Sequence, residues 1–155
     1  MPYTVMDSPV GKLTVAEKNG ALTHVLFGEV RMDDECSETV LLAEAKKQLS
    51  EYFAGERRRF DLPLAPAGTD FQELVWSGLR QIPYGRTLGY GELARNIGRP
   101  SSARAVGGAN NRNPIAIIIP CHRVVGSDGS LVGYGGGLDK KEYLLALEKS
   151  HAPEL

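Results

Sequence analysis

The strongest constraint in this chain of 155 residues is an unbroken apolar run, Ile115 to Ile119, closed by Pro120 and followed at once by Cys121, His122 and Arg123. Five consecutive apolar side chains without polar alternation do not fit a strand with one wet face. The run therefore predicts a strand covered on both sides or leading into a closed pocket. Proline cannot donate to a β-ladder, so pairing ends at Pro120 and Cys121 leaves regular structure with its side chain held in one place. A cysteine after an apolar run is commonly a core residue. His122 and Arg123 supply a second reading, because a cationic neighbourhood favours thiolate, the form that attacks electrophiles. Both readings stay open on these residues alone. A metal centre is not expected: two cysteines and three histidines, with no C-x-x-C partner for Cys121, do not make a zinc ligand set.

No apolar run approaches the ~18 residues of a membrane span, and the start M-P-Y-T-V-M-D lacks the basic and apolar regions of a signal peptide. A cytoplasmic protein with no membrane partner is the expectation. The net charge of -1 conceals a division. Residues 1 to 65 hold 8 basic and 11 acidic side chains, whereas residues 80 to 123 hold seven arginines, no lysine and a single acid, Glu92. A local field of that sign suits a phosphate backbone, and an arginine-rich solvated surface is the plain alternative.

Residues 1 to 65 read as a small α/β unit. Leu13 and Val15, then Leu22, Val25 and Phe27, alternate on either side of the hairpin signal Asn19-Gly20. A helix is expected over about Thr39 to Phe53, with Leu42, Ala45, Leu49, Tyr52 and Phe53 as its apolar stripe and Gly55 as its stop. His24 and Cys36 carry no chemistry in this context. Asp61 to Gly68, with two prolines, is an extended linker. Beyond it, Thr69 and Gln72 make a capping box for a helix carrying Phe71, Leu74, Val75, Trp76 and Leu79.

From Thr87 to Asn111 two short helices are expected on either side of Gly98-Arg99-Pro100, with Ser101 or Ser102 capping the second: the spacing of a helix-turn-helix. Gly107 and Gly108 inside that second helix each cost about 1 kcal/mol against alanine, which is tolerated where something must come close to the backbone. With Ala103, Ala105 and Ala109 they leave a bald surface from which Arg104 projects. Tight packing against another protein helix would account for this. So would a minor groove, since reading base edges in the major groove needs several polar side chains and this bald surface projects one long cation; Arg104 could then act as a wedge. Farther on, Asp139 and Glu142 precede the apolar positions Tyr143, Leu144, Leu145 and Leu147. Glu148 shares their face near the unfavourable end of the helix dipole, either on a frayed end or paired with an imidazole.

I-P-C-H-R-V-V, with N-R-N-P upstream, A-R-A-V-G-G before it and Y-G-G-G-L downstream, resembles the O6-alkylguanine-DNA alkyltransferases, which repair DNA by direct reversal. The match runs from about Thr69 to Glu148. The resemblance implies an α+β fold: an N-terminal α/β, ribonuclease H-like unit with an antiparallel sheet over residues 1 to 65, and a mostly helical DNA-binding and alkyl-transfer unit with a helix-turn-helix over residues 66 to 155. It implies irreversible, single-turnover transfer of an alkyl group from O6-alkylguanine, and also from O4-alkylthymine, to Cys121, with the base flipped from the minor groove. In that scheme Glu148 orients His122, His122 acts as base through a water, and Asn113 braces the turn that presents the thiol. Arg104 fills the gap left by the base, and Tyr90 assists flipping. Ala103, Gly107 and Gly108 lie against the groove, and the carbonyls of Cys121 and Val124 meet the guanine amino group. The loop Leu131 to Gly137, with Tyr134, Gly135 and Gly136, lines the alkyl side. Gly135 stands where many relatives carry Ser. The implied partner is double-stranded DNA bearing O6-alkylguanine, met by a monomer with no obligate protein partner, no metal and no organic cofactor. Two other classes fit parts of the pattern: a non-repairing reader of alkylated DNA, whose known type lacks the cysteine, and a thiol-switched transcription factor, which would carry polar base readers where this chain has Ala and Gly.

Overall fold

The computed structural model describes residues 1–32, 36–126, 128–131, 134 and 136–152. It divides into two compact units, Met1–Ala67 with Pro114–Ile118, and Gly68–Asn113 with Ile119–Leu155. Residues 114–118 thus sit with the first unit, although in sequence they lie deep within the second.

In the first unit, strands β1 (Tyr3–Met6), β2 (Leu13–Lys18) and β3 (Ala21–Phe27) form an antiparallel sheet in that order. Asn19 and Gly20 take φ of 53° and 81°, the two left-handed positions of a tight hairpin. This register sets Leu13 opposite Phe27 and Val15 opposite Val25, and Leu13, Val15, Leu22 and Val25 are buried. The strand β1 is the one the alternation does not mark; its Y-T-V-M is simply rich in strand-favouring residues. Helix α1 (Val40–Phe53) starts where Thr39 accepts from the Leu42 N–H. It packs Leu42, Ala45, Leu49 and Tyr52 on the sheet. The proline-rich linker is extended as expected and is held to β3, with the Leu22 N–H donating to Pro63 and the Ala65 N–H to Leu22.

The apolar run before Cys121 is buried throughout, with Ile115, Ile117 and Ile119 at most 1% exposed, but it is not the expected strand. Only Ile115 pairs, parallel to Val25. Ile117 then takes φ 72° while the Ile118 N–H donates to Ala116 at 2.8 Å: a γ-turn, rare and strained for a β-branched residue at about 1–3 kcal/mol. A second, relaxed γ-turn follows at Pro120 (φ -81°, ψ 65°), with the Cys121 N–H donating to Ile119 at 2.8 Å. A straight strand sends successive side chains to opposite faces. Successive turns instead bury five consecutive ones and re-aim the chain twice before the cysteine.

The second unit holds α2 (Asp70–Leu79), β4 (Leu88–Gly89), α3 (Tyr90–Asn96), α4 (Ala103–Asn111), a 3-10 turn at Cys121–Arg123, β5 (Val124–Val125) and α5 (Leu138–His151). The Thr69/Gln72 capping box is formed. Helices α2, α3 and α4 pack on one another. Gly78 permits this, because a Cβ there would lie 2.6 Å from Ile97 Cγ2. Trp76 is core, its Nε1–H donating to the Ala109 carbonyl at 2.9 Å. Ser102 occupies the N-cap of α4 without a side-chain hydrogen bond, so the expected serine cap is positional only. The two-residue parallel pair β4–β5 was too short to leave a sequence signal; it sets Gly89, and so Tyr90, beside the segment leaving Arg123.

Candidate active site

Cys121 opens the 3-10 turn directly after the Pro120 γ-turn and is 5% exposed. Burial pushes its thiol pKa up; hydrogen bonds from Asn113 and Tyr134 and the charge of Lys141 pull the other way. At rest the sulfur is therefore a protonated thiol within reach of groups that favour the thiolate, and reactivity needs a base. Asn113 does what a brace requires: its Nδ2–H donates to the Ile119 carbonyl at 2.8 Å, fixing the turn that carries the sulfur. The Cys121 carbonyl already accepts the Val124 N–H, leaving one lone pair for another donor.

A candidate base is built from two elements, the 3-10 turn and α5. His122 Nε2 lies 2.6 Å from Glu148 Oε2, while Nδ1 is buried and has no partner among the described residues. A carboxylate only accepts, so Nε2 carries the proton and Nδ1 keeps its lone pair. Glu148 is 1% exposed and α5 runs on to His151, which removes the frayed-end reading. Burial pushes the Glu148 carboxyl up, but the His122 hydrogen bond and the Arg123 charge outweigh it and hold the group well below the carboxylate range. Burial likewise lowers His122, opposed by Glu148 and reinforced by Arg123 and Lys141. His122 is thus a neutral imidazole at physiological pH.

Arg123 departs from expectation. It is 7% exposed and turns away from the sulfur: Nε donates to Glu148 Oε1 at 2.8 Å, Nη2 to Oε2 at 3.0 Å and Nη1 to the Ile82 carbonyl at 2.7 Å. It is neither a thiolate partner nor one of the surface cations. The other six arginines of the basic segment, Arg80, Arg86, Arg95, Arg99, Arg104 and Arg112, are exposed.

Helix α4 presents Arg104, Ala105, Gly108 and Asn111 on an exposed face. Ala109 is buried, so the bald surface is narrower than expected. Ala103 is partly covered. A Cβ on Gly108 would meet nothing within 4 Å, and one on Gly107 only the Tyr90 ring at 3.6 Å. Packing among the described residues therefore demands neither glycine, which disposes of the protein-helix explanation for Gly108. Tyr90, at the start of α3, is half-buried; burial and the nearby Cys121 raise its pKa.

Residues 70–150 match the DNA binding domain of 6-O-methylguanine DNA methyltransferase, and residues 1–66 match its ribonuclease-like domain. A methylated-DNA--protein-cysteine methyltransferase of Methanosarcina acetivorans is 50% identical over 155 residues, 97% of this chain and 99% of that protein. Mycobacterium tuberculosis OGT in complex with DNA superposes with a TM-score of 0.91 at 49% identity, over 99% of this chain and 96% of that one. An O6-methylguanine DNA methyltransferase from Methanococcus jannaschii gives 0.71 at 30% identity, over 98% and 96%. The chain belongs to the 6-O-methylguanine DNA methyltransferase family.

For this methyltransferase the expected α+β fold, an antiparallel sheet with a helix followed by a mostly helical unit, is the one found. Cys121, His122, Glu148 and Asn113 come together as described, and Val124 follows in β5 with its side chain buried. Tyr134 and Gly136 are partly exposed; Gly135 lies outside the described residues. One group was missed. Lys141, fully buried on α5, holds Nζ 5.9 Å from the Tyr134 ring centroid. Burial lowers its pKa and the Cys121 charge raises it. The signal that could have found it is spacing: Lys141, Leu144 and Glu148 recur at three and four residues on one helical stripe. Helix α5 also buries less apolar surface than expected, since Tyr143 is 39% exposed.

Proposed function

We propose that this protein repairs DNA by direct reversal, moving the alkyl group from O6-alkylguanine to Cys121 in a single turnover. The observation that carries the reading is a buried thiol beside a neutral imidazole whose Nδ1 has no partner among the described residues and whose Nε2–H is fixed on Glu148. Nδ1 makes no hydrogen bond to a described sulfur, so the thiol proton reaches it through a bridging water. Sγ then forms a bond to the alkyl carbon as the carbon–O6 bond breaks, and the electron pair stays on the base. The proton held by His122 returns to that base, releasing guanine. A thioether is not reversed by thiol exchange, so the protein is consumed. The reaction as written needs no cofactor.

A base can reach a buried sulfur only when turned out of the duplex. Gly108, open and unneeded by internal packing, supports α4 as the face laid against the minor groove, with Arg104 entering the stack, Tyr90 aiding the flip, and Ala103 and Gly107 close to the backbone. The six exposed arginines suit the phosphates. In this reading Val124 and the Cys121 carbonyl receive the guanine amino group, Tyr134, Gly135 and Gly136 line the alkyl side, and O4-alkylthymine is a second substrate. Residues 1–65 are a structural domain and 66–155 the DNA-binding and transfer domain, acting as a cytoplasmic monomer. No helix among the described residues is long and apolar enough to cross a membrane. The test is intact-protein mass after incubation with duplex DNA containing O6-methylguanine: one methylene equivalent on Cys121, none in Cys121→Ser. Transfer past one equivalent, or methyl on Cys36, overturns the proposal.

A further inference from the structure

Arg123 is a buried charge beside the site that the transfer chemistry leaves without a task. A surface cation in this segment would contact phosphate, yet Arg123 spends three N–H groups internally. Two form a fork on Glu148, the bidentate geometry that fixes both distance and orientation. The third ties the fork to the Ile82 carbonyl, and Tyr84 lies beneath it, with Arg123 Cζ 5.7 Å from the ring centroid. The Gly85 N–H adds a further bond to Glu148 Oε1 at 3.1 Å. The carboxylate is thereby held by three N–H donors, two from Arg123 and one from Gly85, before it meets His122.

The consequence concerns the proton on His122. In a buried site, a bare carboxylate 2.6 Å from an imidazole draws a second proton onto the ring, because an isolated buried anion is costly and the ion pair relieves it. An imidazolium has no lone pair for a thiol proton. A guanidinium already paired with the carboxylate removes that pull and leaves only the hydrogen bond.

We propose that Arg123 is a positioning residue: by forking onto Glu148 and anchoring on Ile82, it neutralises the carboxylate so that His122 stays a neutral Nε2–H tautomer with Nδ1 ready to accept the thiol proton. The inference rests on the alkyl-transfer reading for its purpose, though not for its geometry. The charged groups acting on His122 are Glu148 and Lys141 from α5 and Arg123 from its own turn; the Ile82 carbonyl and the Tyr84 ring meet Arg123 in turn. Both Arg123 and Lys141 act in the same sense, against protonation of His122.

The experiment follows alkylation of the full chain by free O6-benzylguanine across pH, with nitrogen NMR of the His122 ring. In the parent near pH 7 the ring carries one proton, on Nε2. Arg123→Gln moves the rising acid limb of the rate to higher pH by about one unit, a loss of up to roughly tenfold below the parent's own midpoint that shrinks toward neutrality and is recovered at alkaline pH. Arg123→Lys, which keeps the charge and loses the fork, keeps its limb near that of the parent. Loss by one factor at every pH in Arg123→Gln would reduce Arg123 to a structural role and overturn the proposal. A doubly protonated His122 in the parent at pH 7 overturns it as well, and decides the matter even if Arg123→Gln does not fold. A parent that ignores O6-benzylguanine and methylated duplex alike would instead sink the transfer reading, with the ring-proton result still deciding the role of Arg123.

Discussion

Replacing Glu148 with glutamine removes one charge and almost no volume, so its cost can be worked from the partners it leaves behind. The carboxylate accepts from His122 Nε2 at 2.6 Å, Arg123 Nε at 2.8 Å, Arg123 Nη2 at 3.0 Å and Gly85 N at 3.1 Å. The amide oxygen of glutamine can accept only some of these, and its NH2 group sets donor against donor. Arg123, 7% exposed, then keeps its charge without a counter-charge. Removing one partner of a buried pair costs about 3–5 kcal/mol. At roughly 2–4 °C per kcal/mol for a chain of this size, Tm falls by about 6–20 °C. Arg123→Met strands the opposite charge at similar cost. The double variant Glu148→Gln/Arg123→Met strands neither, so its loss should fall short of the sum of the single losses by at least ~2 kcal/mol. Denaturant unfolding of the parent, both single variants and the double at pH 7.5 measures the coupling. Strictly additive losses would refute the claim that the pair is held by mutual compensation.

Gly108→Leu should fold at least as well as the parent, gaining roughly 0.5–1 kcal/mol of helix propensity, yet bind duplex DNA at least ~10-fold more weakly because the added side chain stands off the backbone contact; unchanged affinity in a filter or fluorescence assay would remove α4 from the interface. Arg104→Ala should slow repair of duplex DNA far more than reaction with free O6-benzylguanine, since only the duplex has a gap to fill, and equal losses would place Arg104 in the fold. Lys141→Met should raise the Cys121 thiol pKa by about one unit and slow transfer near neutrality by roughly tenfold; an unchanged thiolate titration would leave Lys141 a packing residue. Because the folded pKa of His122 is depressed, its unfolded form binds the extra proton first. Its contribution to stability is therefore complete above about 6.5 and lost as pH falls below it, well before the contribution of Glu148 is lost, and a flat Tm from pH 7.5 to 5 would contradict this.

The sequence was most legible where local physics decides alone. Asn19-Gly20 fixed a hairpin, Thr69 with Gln72 fixed a helix start, and the apolar stripe of α1 was found almost residue for residue. The run Ile115 to Ile119 was read correctly for burial and wrongly for conformation, because an apolar run reports removal from water and not the dihedral angles by which the chain achieves it. Arg123 was misplaced for a related reason. Adjacency to Cys121 suggested a thiolate partner, but the 3-10 turn rotates neighbouring side chains apart, and the fork goes to Glu148, 25 residues away. The expectation for Gly107-Gly108 stood on composition alone until the space around Gly108 proved empty.

In the proposed transfer, the buried charges account for the departure of the proton from His122. At rest the cluster holds Lys141 and Arg123 as cations against Glu148, one net positive charge, with Cys121 and His122 neutral. Passing the thiol proton to His122 leaves that total unchanged while placing the thiolate beside Lys141, so the step separates charge only locally. Once Sγ becomes a thioether the negative charge has left with the base, and the cluster carries three cations against one carboxylate. In a buried site that is the least favourable state of the cycle. An imidazolium ordinarily gives up its proton far more readily than an ammonium or a guanidinium. The departing guanine anion is the acceptor close at hand. The fork from Arg123 thus acts twice, keeping His122 neutral before transfer and making it a stronger acid afterwards.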